Sequence, residues 1–230
     1  MTADTESAAQ FYRTERGRVA AGILRARLHD FWPDLTGLAV LGIGYPHPYL
    51  DLWRPQAHRC IGAVPPQFRP GEGAGCVVEE DRLPFPDVSF DRILLIHSVD
   101  AAGHARRMLR EVWRVLKDDG RVLIVAPNRL GLWAHVESTP FGQGHPYSAS
   151  QLEHLLAAAM FRPHRKDRAL FVPPTSFGPI LRSYPLWEQA GHALFPNLAG
   201  VTLTEAAKDA YAAIPVIASA RRRVILPEAA

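Results

Sequence analysis

FDRILLIHSVDAAGHARRMLREVWRVLKDDGRVLIVAP, residues 90–127, carries a strand, a helix and a second strand in that order. FDRILLIHS is almost continuously apolar between its ends, as strands buried on both faces are. Ala105, Met108, Leu109, Val112 and Leu116 then recur at helical spacing, with charge between them. Asp119 and Gly120 stop that helix, and RVLIVAP, residues 121–127, is a second buried strand. Two buried strands joined by an amphipathic helix predict a parallel α/β sheet with right-handed crossovers.

The same alternation extends outward. Upstream, Val19, Ala20, Ile23, Leu24, Leu28 and Phe31 give a helix that Pro33 stops. LAVLGIG, residues 38–44, reads as a buried strand ended by glycine, and Pro48, Leu50 and Trp53 suit a short helix after it. CIGAV at 60–64 and CVV from Cys76 are further strands, separated by a Pro- and Gly-rich link. Downstream, Ser148 and Gln151 have the form of a capping box, ahead of Leu152, Leu155, Leu156 and Ala159. Strand-like runs follow at 168–172 and 216–226, and residues 174–215 read as a helical cover over one end of the sheet. The expectation is one domain over residues 1–230: a doubly wound, mostly parallel seven-stranded sheet with one antiparallel strand.

Composition narrows the function. Of 230 residues, 26 are Lys or Arg and 23 Asp or Glu, a net charge of +3, which does not suggest a dedicated nucleic-acid binder. The one dense basic run, Arg221, Arg222 and Arg223, reads as edge protection for a terminal strand. Cys60 and Cys76 make neither a disulfide framework nor a zinc set and read as small buried residues. His135 and His145 have no ligand-spaced carboxylate or cysteine beside them, so no metal is expected. No signal peptide or membrane-spanning run is read, and the expected setting is cytoplasmic. A nicotinamide fingerprint and a nucleophile elbow are both missing.

In an open α/β sheet, ligands bind beyond the carboxyl ends of the strands. Three blocks around those ends carry a resemblance. LPFPDVSFDRILLIHSVD (83–100), LREVWRVLKDDGRVLIVAPN (109–128) and PYSASQLEHLLAAAMF (146–161) resemble, in order and spacing, the class I S-adenosylmethionine-dependent methyltransferases of the small-molecule type. The resemblance runs from about residue 38 to residue 171. It implies S-adenosylmethionine as cofactor and a small-molecule methyl acceptor. It also implies cofactor contacts at Gly42, Gly44, Tyr45, Glu79, Glu80 and His97, with Glu79 at the position that recognises the adenine amino group.

Two departures from the family pattern stand out. Its first motif, approximately hhDhGxGxG, reads VLGIGYPHP here: Gly42 replaces the acid, and Pro46 and Pro48 replace two glycines. Prolines remove amide donors and fix the backbone. At the end of the second strand, IGAVPP has no carboxylate for the ribose hydroxyls. Gly42 and Gly44 therefore read either as cofactor contacts or as close-packing glycines. His97 reads as pocket-lining or as a hydrogen-bonded structural histidine, and Asp100 matches the family's acid. Tyr12 is a candidate lid residue, and Trp187, in the apolar 174–215 segment, a candidate wall of an enclosed acceptor pocket facing His97 and Tyr12. Two functions stay open: a methyltransferase, or an inactive relative that binds or regulates.

Overall fold

The computed structural model describes residues 5–66, 68 and 75–209. Its strands are β1 (Ala39–Gly44), β2 (Arg59–Val64), β3 (Gly75–Val77), β4 (Phe90–Ile96), β5 (Leu116–Pro127), β6 (Phe161–Ala169) and β7 (Val201–Lys208). They form one sheet in the order β3-β2-β1-β4-β5-β7-β6. β1 to β5 pair in parallel, and β7 runs antiparallel to both β5 and β6.

Alternation along the strands builds two apolar layers. Leu94 and Ile96 face one, with Val40, Leu123, Leu24 and Leu28. Ile93 and Leu95 face the other, with Leu41, Val122, Met108 and Val112. The first layer is covered by α1 (Thr5–Arg13) and α2 (Glu15–Phe31), followed by α3 (His47–Leu50). α4 (Ala105–Val115) and α5 (Ala149–Ala158) cover the second. Thr14 starts α2, its Oγ1 accepting from the Gly17 amide at 3.0 Å. Gly17 is required there, because a Cβ would lie 1.9 Å from the Phe11 carbonyl oxygen. The capping box of α5 is formed in both directions, between Ser148 and Gln151.

The last third of the chain corrects the sequence reading. The helical cover is α6 (Gly178–Arg182), α7 (Tyr184–Leu194) and a 3-10 turn (Pro196–Leu198), and the expected cover ends there. Residues 201–208, read as part of it, are β7. Thr204, Glu205 and Lys208 disguise that strand, yet all three are buried. Trp32 Nε1 donates to Glu205 at 2.8 Å, and Lys208 Nζ donates to the Leu116 carbonyl at 3.1 Å. β6 likewise begins at Phe161, well before the expected 168. FRPHRKDRA looks like a loop because it is an edge strand, with charge along it and Pro163 beside a register shift. The strand read at 216–226 and the triple arginine lie outside the described residues.

Strand order reverses at β1, with β2 on one side and β4 on the other. Such a switch opens a crevice at the carboxyl ends of the two strands.

Candidate active site

Gly44 closes β1 at φ +96°, and a Cβ on it would lie 2.0 Å from the Ile96 carbonyl oxygen. A Cβ on Gly42 would lie 2.5 Å from the Pro46 ring. Close packing thus requires both glycines. The Tyr45 amide donates to Ile96 O at 3.0 Å, and Pro46 has no amide to give. The turn after β1 satisfies itself where the family's loop offers amides to a ligand.

Aromatic side chains crowd this turn. Tyr45 stacks on Tyr12 of α1, with centroids 5.6 Å apart and planes 4° from parallel, and Phe68 packs on Tyr45 at 6.2 Å. Tyr49 donates its hydroxyl to Tyr12 at 2.8 Å, and Tyr12 stands 2.6 Å from His97 Nε2. With the Tyr12 oxygen accepting from Tyr49, its own proton goes to Nε2, so a neutral His97 carries its proton on Nδ1. Burial pushes the His97 pKa down to about 3 and raises both tyrosines. His97 is also held at φ +50°, a left-handed conformation that costs a non-glycine residue on the order of 1–3 kcal/mol. Phe141 covers its ring at 4.6 Å.

Beyond His97 the chain leaves β4 with two buried polar side chains. Among the described residues, Ser98 Oγ and Asp100 Oδ1 have no hydrogen-bond partner. Asp100 is only 2% exposed, and burial, with Glu80 adding repulsion, pushes its carboxyl up to about 7. Its carbonyl accepts from the His145 amide at 2.8 Å, and a Cβ on Gly144 would lie 2.6 Å from that same oxygen. The 140–145 loop is thereby clamped over Asp100. A cavity of about 360 Å³ lies between them, lined by Phe68, His97, Asp100, Pro140, Gln143 and His145. A second, about 260 Å³, is lined by Pro66, Glu79, Glu80, Asp81, His104 and Met108. Neither Lys nor Arg stands among the described residues lining either one. A third hollow of about 280 Å³, between α5, β6 and α7, is lined by Arg168 and by two contacting pairs, Lys166 with Glu153 and His192 with Asp167.

The structure brings Tyr12, Tyr45 and His97 together, and places Glu79 and Glu80 at the neighbouring cavity. Trp187 is not with them, which corrects the expected acceptor wall. It is 41% exposed and donates to Ser183 Oγ at 3.2 Å. The physical reason is its neighbour Glu188, which α7 turns inward to accept from three backbone amides. Trp187, about 100° round the helix from Glu188, is thereby turned off that inward face. Tyr49, Phe68 and the 140–145 loop were missed as site residues. Tyr49 looks like an ordinary core tyrosine, and nothing local ties the loop to Asp100. Among the described residues, no group of three or more His, Cys, Asp or Glu is placed to hold a metal ion.

Comparison with known proteins agrees with this architecture. Residues 49–124 match the family model described as "Methyltransferase domain". A solved Thermotoga maritima protein, described as a SAM-dependent methyltransferase and possible histamine N-methyltransferase, superposes with a TM-score of 0.63. That match covers 87% of this chain and 94% of that one at 16% identity. The chain has the class I methyltransferase fold. A stretch of 90 residues is 37% identical to the uncharacterized methyltransferase YcgJ of Bacillus subtilis, 32% of this chain and 36% of the relative. The chain therefore matches about a third of that relative's length. A Burkholderia thailandensis 1,6-didemethyltoxoflavin-N1-methyltransferase, solved with bound 1,6-didemethyltoxoflavin and S-adenosylhomocysteine, has a TM-score of 0.51. It is 19% identical over 80% of this chain and 76% of that one.

Proposed function

We propose that this methyltransferase-fold chain transfers a methyl group from S-adenosylmethionine to a small-molecule acceptor. The observation that carries the reading is a pair of cavities beyond the carboxyl ends of the strands: among the described residues neither is lined by Lys or Arg, Glu79, Glu80 and Asp81 line the smaller, and an Asp100 oxygen without a described partner lines the larger. The cofactor is a sulfonium cation, and the acidic wall of the smaller cavity complements it. Cavities of this size suit a small ligand. Acidic walls repel a phosphate backbone, which supports a small acceptor over a nucleic acid. The fit is one-sided: Glu79 and Glu80 are the residues that would hold the nucleoside, while the turn after β1 gives no amide from Tyr45 or Pro46.

When bound, the cofactor supplies a methyl group already activated for displacement. The chain's task is then alignment and exclusion of water. Tyr12, Tyr45 and Phe68 close the crevice beside His97. His97, neutral near pH 7, serves as an oriented dipole and not as a charge. Asp100 is the group able to hold or release a proton near neutrality. A cytoplasmic setting belongs to the same proposal, supported by two free cysteine thiols.

Calorimetric titration with S-adenosylhomocysteine tests the reading. Saturable binding, weakened at least tenfold in the double variant Glu79→Gln/Glu80→Gln, is expected. No heat at millimolar ligand removes the cofactor and with it the proposed activity.

A further inference from the structure

We infer that the 360 Å³ cavity beside Asp100 is the acceptor site, and that it selects a small organic amine by an ion pair to the free Asp100 oxygen. The inference rests on the methyl-transfer reading only in calling the ligand an acceptor: for transfer, the bound ammonium gives one proton to the Asp100 carboxylate, the freed nitrogen lone pair takes the methyl group, and the sulfonium leaves as a neutral thioether. Four observations converge on an amine. First, Oδ1 is buried in the wall of a cavity and has no hydrogen-bond partner among the described residues. A buried acceptor without a donor is costly, and a ligand N–H removes that cost. Second, the described lining supplies no cation that could answer the carboxylate from the protein side. Third, the ionisable groups facing Asp100 add no positive charge at neutral pH from three of its sides. His97 on its own segment is held neutral; Tyr12 of α1 and Tyr147 ahead of α5 both have raised pKa values; Glu80 from the β3–β4 link is acidic. His145 faces it from the overlying loop. Fourth, Phe68 and Pro140 give the cavity apolar walls, so the amine is best carried on a short apolar body.

The same arrangement excludes other acceptors. A carboxylate or phosphate would meet Asp100 and Glu80 with like charge. A neutral alcohol would give one hydrogen bond but leave the Asp100 charge without a counter-ion once it ionises. The clamp matters as well: His145 N and Gly144 fix the Asp100 backbone, so its carboxylate is presented by a rigid support.

The test uses the full chain, with 2-phenylethylamine as the cationic probe and 2-phenylethanol as its neutral counterpart. Affinities are read by calorimetry from pH 6 to pH 8 in the wild type and in Asp100→Asn. The wild type should prefer the amine at least tenfold at pH 8. The preference should grow from pH 6 to pH 8, as the carboxyl loses its proton while the amine keeps its own. In Asp100→Asn the preference should vanish and the pH dependence with it. A pH dependence that persists in Asp100→Asn would overturn the assignment, as would a wild type that does not favour the amine. Should Asp100→Asn fail to fold, the wild-type pair of probes still decides, together with the carbon-13 carboxyl shift of Asp100, which must move when the amine binds. A final arm adds saturating S-adenosylhomocysteine. Retained amine affinity supports a separate acceptor site, and competitive displacement assigns Asp100 to the cofactor and overturns the inference. Failure of S-adenosylhomocysteine to bind at all overturns the methyl-transfer reading, and leaves amine selectivity to be judged on the probe pair alone.

Discussion

Glu188 and Asp100 are both carboxylates buried at the rim of the same sheet, and they are treated in opposite ways. Glu188 accepts from the amides of Leu170, Phe171 and Val172 at 3.2, 2.6 and 3.3 Å. Those amides follow the end of β6, where Leu170 at φ +63° turns them toward one point. Asp100 is more deeply buried and keeps an oxygen with no donor among the described residues. Burial raises both pKa values, but at Glu188 three backbone bonds work against the rise. The first arrangement fastens α7 to the sheet. The second spends stability without a structural return, as functional sites do.

Asp100→Asn should produce the largest effect. The Asp100 pKa rises from 3.8 to about 7 on folding. Between those values the unfolded chain binds fewer protons than the folded one, so the group's contribution to stability falls as pH rises and is fully lost above 7. Asparagine has no such loss. The variant should therefore gain on the wild type from pH 4 to pH 8, by up to about 4 kcal/mol. Urea unfolding across that range reads the difference directly, and parallel stability profiles would mean that the carboxylate is paired after all. His97 acts with the reverse sign in both proteins: its pKa, lowered to about 3, costs stability as pH falls below its ordinary value of 6.5.

Glu188→Ala should go the other way at every pH. It strands three buried amides, and leaving buried donors unsatisfied costs on the order of 3 kcal/mol in total. Glu188→Gln keeps one acceptor oxygen and should lose less. If Glu188→Ala unfolds at wild-type urea concentration, the contrast between the two carboxylates fails on the Glu188 side.

Tyr12→Phe sharpens the comparison on the site side. The ring can stay stacked on Tyr45, while Tyr49 loses its acceptor and His97 Nε2 its donor. A loss of about 1–2 kcal/mol is expected from the unpaired groups. A change in His97 Nε2 chemical shift should accompany it. An unchanged shift would mean that the 2.6 Å contact does not fix the histidine tautomer.

These regions also differ in how readable they were. The β4–α4–β5 unit was plain because a buried parallel strand and an amphipathic helix each write a local pattern, but its inner boundary was misplaced: α4 ends at Val115, and Leu116 to Gly120, read as the helix end and its stop, already belong to β5. Tyr12, His97 and Asp100 drew attention through their places in the chain. Their joint environment did not, since the Tyr49–Tyr12–His97 chain spans contacts 37 and 85 residues apart. β7 was misread because partners far away pay the cost of burying Glu205 and Lys208. A window of eight residues cannot contain Trp32 or Leu116. β6 was misplaced for a related reason: an edge strand carries charge against mispairing, and charge locally signals a loop.

Trp187→Ala should have the smallest effect, and it tests the corrected position of α7. An apolar segment between two strands invites the view that its tryptophan covers a ligand. The geometry gives Trp187 little to lose: 41% of it is exposed, and its one described polar partner, Ser183 Oγ, lies a single helical turn back. What docks α7 is Glu188 beneath, with Phe171 packed where a Cβ on Gly191 would come within 2.4 Å. Removing a half-exposed side chain from such a helix should change stability by no more than about 0.5 kcal/mol. Amine affinity at the Asp100 cavity should be unchanged within error, because Trp187 is not among its lining residues. A tenfold loss of affinity in Trp187→Ala with stability intact would show that α7 swings toward the crevice when ligand binds. The asymmetry between a fastened rim at Glu188 and an open one at Asp100 would then have to be abandoned.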